Sequence, residues 1–203
     1  MISDETSAKA FVAGLADAAA MERLDYLCQA LCTENQRQNL ISKPSEAQIW
    51  QRHVADSAQL LHHVPRETSG VWLDLGTGAG FPGLVIAAIQ PERQMVLVES
   101  RARRIEWLDC MVEEMGLCQC RVAGARLEMI EPFPASVISA RAFAPLPKLL
   151  SLSAPFSTSE TTYLLPKGRS AAQELAELPK KRRGLFHVEQ SLTDPDAGII
   201  VST

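Results

Sequence analysis

Residues 71–75 are a short apolar run that ends in a glycine-rich stretch: Asp74, Leu75, Gly76, Thr77, Gly78, Ala79, Gly80, Phe81, Pro82, Gly83. Glycines placed directly after a strand let the chain turn sharply and let a ligand lie against bare main chain. The helix that follows directs its first N–H groups toward an anionic group. Two ligand readings compete. Residues 78–83 fit G-x-G-x-x-G, the dinucleotide fingerprint, but that fingerprint starts on the first residue after the strand, here Gly76. From Gly76 the spacing is G-x-G-x-G with an acid, Asp74, two positions upstream, the form that takes a sulfonium nucleoside. Pro82 also removes a donor from the helix start, which a pyrophosphate would use and a single carboxylate can spare. The loop therefore favours S-adenosyl-L-methionine over NAD.

Other residues could do chemistry beside it. Glu99 ends the next strand, 23 residues after Gly76, where a carboxylate accepts hydrogen bonds from ribose hydroxyls. Arg141 follows a buried strand, at the edge where open α/β sheets bind ligands; it suits a cofactor carboxylate, a guanine O6 or a plain salt bridge. Lys167, before Gly168, stands at a similar strand end. Arg52 with Asp56 and His53 with Ser57 are i, i+4 pairs on one helical stretch. On spacing alone they amount to a surface pair of about 0.3 kcal/mol. Arg101, Arg103 and Arg104 open a helix against its dipole, and 180–183 is a run of four bases; solvated charge or phosphate contact fits both.

These groups need a scaffold. Apolar residues recur at helical spacing over 7–31, and Ser45 with Gln48 suggests a capping box for a helix running to Val64, ended by Pro65 and the polar stretch 66–70. From Val71 strands (71–75, 95–99, 119–123, 136–140, 161–165) alternate with helices (82–90, 101–115, 146–154, 169–178). Two closing strands, 185–190 and 198–202, are joined through Asp194, Pro195 and Asp196. Such alternation implies an α/β fold with a parallel sheet covered on both faces, and the last two strands add one antiparallel member. The expected division is an N-terminal helical region, 1–66, packing on a nucleotide-binding domain, 67–203.

Composition sets further bounds. The chain has 203 residues, 46 % apolar and 22 % charged, ordinary for a globular protein. No apolar run approaches a membrane span and the N-terminus lacks a signal-peptide layout, so a cytoplasmic protein without membrane contact is expected. Cys28, Cys32, Cys110, Cys118 and Cys120 have no paired spacing and read as small apolar packers, with no metal site. The formal charge of −4 means that any nucleic-acid contact must come from local patches.

Several segments recur in a telling order: Asn39 and Leu40; Arg52, His53, Val54, Ala55, Asp56 and Ser57; the loop 74–83; Arg126, Leu127 and Glu128; Ser139 through Ala144; and Pro166, Lys167, Gly168 and Arg169. Together they resemble the bacterial small-subunit (16S) ribosomal RNA guanine-N7 methyltransferases, the GidB/RsmG family, over most of the chain. The combination of R-H-x-x-D-S, G-T-G-x-G-x-P-G and S-x-R-A-x-A carries the likeness. It implies a Rossmann-like class I methyltransferase with a mostly parallel seven-stranded sheet. It implies that Gly76, Gly78, Phe81 and Glu99 meet S-adenosyl-L-methionine, that Leu127 and Glu128 hold the adenine edge, and that Arg141 sits where cofactor and substrate join. Arg52, His53 and Lys167 would then position 16S ribosomal RNA, within the small ribosomal subunit, and the protein would act as a monomer.

Guanine N7 has an in-plane lone pair and no proton, so methylation there needs no general base, only alignment. The chain has no N-P-P-Y-like motif for amino groups and no cysteine placed as a nucleophile. The competing readings are a methyltransferase for a small molecule or protein, an NAD-binding oxidoreductase, and an assembly factor without turnover.

Overall fold

A computed structural model describes residues 1–65 and 67–203. Arg66, at the expected end of the helical region, lies outside the described residues.

The chain starts with α1 (Glu5–Ala13) and α2 (Ala18–Glu34), each held at its N-terminus by an aspartate. Asp4 accepts from Ser7 N–H at 2.7 Å in a reciprocal capping box, and Asp17 accepts from Ala20 N–H at 2.7 Å. The next stretch departs from the sequence expectation of one regular helix capped by Ser45. Ser42 is the cap instead, accepting from Ser45 N–H, and Pro44 lies inside the first turn of α3 (Lys43–Glu46), where its missing N–H costs nothing. A π-helical turn, Trp50–Ala55, follows, then α4 (Asp56–Ala58) and a 3₁₀ turn, Gln59–His63. The wider turn changes which side chains meet, so the expected i, i+4 pairs are absent: Arg52 bonds Asp194, and the Ser57 hydroxyl donates to the His53 carbonyl.

The described residues then form a seven-stranded sheet in the order β3-β2-β1-β4-β5-β7-β6. Its strands are β1 (Trp72–Leu75), β2 (Met95–Val98), β3 (Cys120–Ala123), β4 (Val137–Ala140), β5 (Thr162–Gly168), β6 (Phe186–Gln190) and β7 (Gly198–Ser202). Among these strands β7 alone runs against the rest, pairing antiparallel with β5 and β6, as the closing hairpin suggested. β1, β2 and β4 are buried on both faces, which explains their mostly apolar sequences, with Asp74 and Ser139 as the buried polar members of β1 and β4. The crossovers are α5 (Gly83–Ile89), α6 (Ala102–Glu114), α7 (Leu146–Ser153) and α8 (Ala171–Ala176); the base run forms its own short α9 (Lys180–Arg183). α8 is shorter than the expected 169–178 because β5 runs on to Gly168, three residues beyond the expected end of the strand.

Two apolar cores flank the sheet. One joins Leu24, Leu27, Leu31, Trp50 and Val54 of the N-terminal helices to α5, α6 and the face carrying Trp72 and Leu97. The other joins Leu73, Val98 and Ile138 to α7 and α8. Leu24, Leu27 and Leu31 are fully buried, each worth about 2 kcal/mol, so α2 is fixed onto α5, α6 and the sheet. Burial pushes the Cys28 and Cys120 thiols up to about 12, as suits apolar packers. Strand order reverses between β1 and β4, and that switch point fixes where a ligand crevice opens.

Candidate cofactor and acceptor site

The loop after β1 turns on three glycines with positive φ: Gly76 (64°), Gly78 (60°) and Gly80 (105°). A Cβ on Gly76 would stand 2.6 Å from the Phe143 ring, and one on Gly80 would run into the Leu84 side chain. Asp74, wholly buried, anchors the loop. One of its oxygens accepts from Gly83 N–H at 3.0 Å and the other from the Ser139 hydroxyl at 2.7 Å, while Ser139 accepts from the Trp72 indole at 2.9 Å. Burial raises the Asp74 pKa, and the bonds from Ser139 and Gly83 oppose that shift. The Gly83 N–H, expected to face a ligand, is therefore occupied by Asp74. Trp107 closes the loop from beneath through a 3.0 Å bond to the Ala79 carbonyl.

In front of this turn lies a cavity of about 410 Å³, lined by Gly76, Glu99, Leu127, Glu128, Ala142 and Phe143 among others. One Glu99 oxygen accepts from the N–H groups of Ser100 (2.7 Å) and Arg101 (3.0 Å). The other faces Arg104 at 3.6 Å, too long for a strong bond, and is available to a hydroxyl. Bare glycine backbone, a carboxylate at the second strand end and the apolar wall of Leu127 fit an adenosine with an amino-acid tail.

A second cavity, about 710 Å³, opens on the other side of the segment 142–144, lined by Arg141, Phe143, Pro166, Lys167 and Glu174. Ala142 adopts φ 53°, a conformation that costs a non-glycine residue about 1 kcal/mol and sends Arg141 and Phe143 different ways. Arg141 is held by four groups. Its guanidinium donates to the Arg52 carbonyl (3.3 Å) and His53 Nδ1 (3.1 Å), pairs with Asp56 (3.4 Å), and lies 5.1 Å from the centre of the Phe81 ring. Phe81 also stacks on His53, with centroids 5.0 Å apart. Burial, with Arg141 and Arg52 nearby, lowers the His53 pKa to about 3, so the ring is neutral at ordinary pH. Since Nδ1 accepts from Arg141, Nε2 carries the proton, and it is a buried donor with no partner in the described chain.

The residues singled out in the sequence thus separate into groups. Gly76, Glu99, Leu127 and Glu128 share one cavity wall. Phe81 is buried behind the loop, so its ring supports His53 and Arg141 and does not line that wall. Gly78 shapes the turn, with Arg104 lying 3.5 Å from where its Cβ would be. Lys167 is buried as well: its ammonium donates to the Ala144 carbonyl (2.7 Å) and pairs with Glu174 (2.9 Å), which also accepts from Leu146 N–H (2.9 Å). Arg52 is half exposed and pairs with Asp194 at 2.9 Å. Asp56, Phe143, Glu174 and Thr193 gave no local sign of their contacts; Asp56 reaches Thr193, 137 positions away, at 2.9 Å.

A doubly wound sheet with one reversed strand, a G-x-G-x-G turn after β1 and an acid ending β2 defines a Rossmann-like S-adenosylmethionine-dependent methyltransferase. Solved structures of that fold superpose on it. They include a precorrin-6y C5,15-methyltransferase from Geobacter metallireducens (TM-score 0.56, 13 % identity, 82 % of this chain and 91 % of that one) and the fibrillarin/Nop5p complex (0.57, 15 %, 73 % and 79 %). The family model for rRNA small subunit methyltransferase G, GidB, matches residues 20–194, and the chain belongs to that family. It is 63 % identical to the ribosomal RNA small subunit methyltransferase G of Erythrobacter litoralis, over 99 % of this chain and 97 % of that protein. It is 57 % identical to that of Novosphingobium aromaticivorans, over 91 % and 81 %. Among the described residues no helix is long and apolar enough to cross a membrane.

Proposed function

We propose that the chain transfers a methyl group from S-adenosyl-L-methionine to N7 of a guanine in 16S ribosomal RNA. The observation that carries the reading is the pairing of two cavities that share the segment 142–144, with the Arg141 guanidinium held on the wall of the second. S-adenosyl-L-methionine, when bound, would supply an electrophilic methyl; the N7 lone pair would donate to that carbon as the carbon–sulfur bond breaks, leaving S-adenosylhomocysteine and no proton to remove.

The protein's own groups hold and align. Gly76 and Gly78 let the ligand lie on main chain, the open Glu99 oxygen takes ribose hydroxyls, and Leu127 with Glu128 bounds the adenine. Arg141 donates to guanine O6, with its direction set by Asp56, His53 and the Phe81 ring. His53 acts as a neutral donor through Nε2, never as a base. Lys167 works through Glu174 and Ala144, fixing the segment that carries Phe143, and Arg52 stands at the rim. Residues 1–66 serve as the wall that positions His53 and Arg52 against the 67–203 domain, whose substrate is the RNA within the small subunit, met by a monomer.

Mapping N7-methylguanine in small-subunit RNA, with and without the protein, tests this. One new site that depends on the protein is expected. Label passing only into small molecules or proteins would contradict the proposal.

A further inference from the structure

The mouth of the cofactor cavity has the wrong charge for its cofactor. Arg101, Arg104, Arg126 and Lys148 line it against two carboxylates, Glu99 and Glu128. Arg104 faces Glu99 at 3.6 Å, whereas Arg101, Arg126 and Lys148 are exposed and, among the described residues, form no ion pair. The rim is thus net positive on a chain whose formal charge is −4. S-adenosylmethionine, with its sulfonium and ammonium, is itself a cation; S-adenosylhomocysteine is net neutral. A cationic rim repels the first more than the second, which would favour product over substrate unless an anion lies across the opening.

We propose that Arg101, Arg126 and Lys148 bind backbone phosphates of the substrate RNA where it crosses the mouth of the cofactor cavity, so that bound RNA neutralises the rim and removes its bias against the methyl donor. The inference rests on the RNA-methylating function proposed above. RNA and S-adenosylmethionine then strengthen one another's binding, and loss of the RNA after transfer leaves a rim that repels the sulfonium.

The experiment uses the full chain, the double variant R126Q/K148Q and, as a control patch, K180Q/K181Q, with small-subunit RNA as the probe. Binding of the RNA is measured against salt concentration. Affinities for S-adenosylmethionine and S-adenosylhomocysteine are measured calorimetrically without RNA. Each cation that touches a phosphate contributes about 1 to the log–log salt slope, so R126Q/K148Q should lower the slope by about 2. Without RNA the same variant should bind S-adenosylmethionine about two- to fivefold better relative to S-adenosylhomocysteine, an effect that fades at high salt. An unchanged slope and unchanged cofactor preference, with the wild-type protein still methylating the RNA, would overturn the rim proposal alone. So would a slope that falls only in K180Q/K181Q. Failure of the wild type to bind or methylate the RNA at any salt would instead remove the functional reading beneath it.

Discussion

The two cavities flanking the segment 142–144 are built in different ways. The proposed cofactor side draws on residues set by their own strand ends: Gly76 after β1, Glu99 after β2, and Leu127 and Glu128 after β3. The proposed acceptor side is assembled from distant parts, with Arg141 gripped by Asp56 and His53 from the N-terminal helices and Lys167 by Glu174 from α8. The first kind of site depends on backbone shape and tolerates little added bulk. The second depends on side-chain partners and can be weakened by degrees.

The strongest way to break that contrast is Gly76→Val. A branched side chain at φ 64° and against the Phe143 ring should lower S-adenosylmethionine affinity at least ~100-fold, read by calorimetry. Affinity close to wild type would show that the turn is not shape-limited. Asp74→Ala comes next: it leaves the buried Gly83 N–H and Ser139 hydroxyl without their acceptor and should cost about 3 kcal/mol in denaturant unfolding. On the acceptor side, Arg141→Lys keeps the charge but loses the planar fork that spans Asp56, His53 and the Phe81 face. A fall of ~10-fold in kcat/KM with unchanged S-adenosylmethionine affinity is expected; an equal loss of cofactor binding would merge the two sites into one.

His53 sharpens the comparison through pH. Its pKa is near 3 in the folded state and about 6.5 when unfolded, so the unfolded chain binds the extra proton. Its contribution is complete above pH 6.5 and is lost as pH falls through that window, with a slope approaching ~1.4 kcal/mol per unit. His53→Gln should flatten stability against pH between 6.5 and 4. kcat should show no limb from histidine between pH 6.5 and 9; a rate that rises steeply with pH in that range would point to a general base. The smallest effect belongs to Arg52→Ala, whose half-exposed pair with Asp194 is worth at most about 0.5 kcal/mol. The Asp194 carboxyl, held below its usual range chiefly by the Arg52 hydrogen bond, should titrate closer to normal in that variant.

The same contrast explains what could be read from the sequence. The succession of strands and helices and the reversed closing strand were legible because each depends on a short run of residues. The π-helical turn at Trp50–Ala55 was not, since one extra residue in a turn leaves the apolar spacing nearly intact while redirecting Arg52 to Asp194. Nor was the buried role of Lys167, whose partner Glu174 comes from another element across a turn. Phe81 was expected to meet the cofactor, but its ring turns to His53 and Arg141, a direction that only tertiary packing sets.

Calorimetric titration of S-adenosylmethionine into the wild-type protein and into Glu99→Ala tests the central claim most directly. The account predicts one molecule bound per chain and affinity at least ~10-fold weaker once the ribose-facing carboxylate is gone, since hydrogen bonds to a charged group contribute about 1.5–3 kcal/mol. No uptake by the wild type, or equal affinity in both proteins, would contradict it.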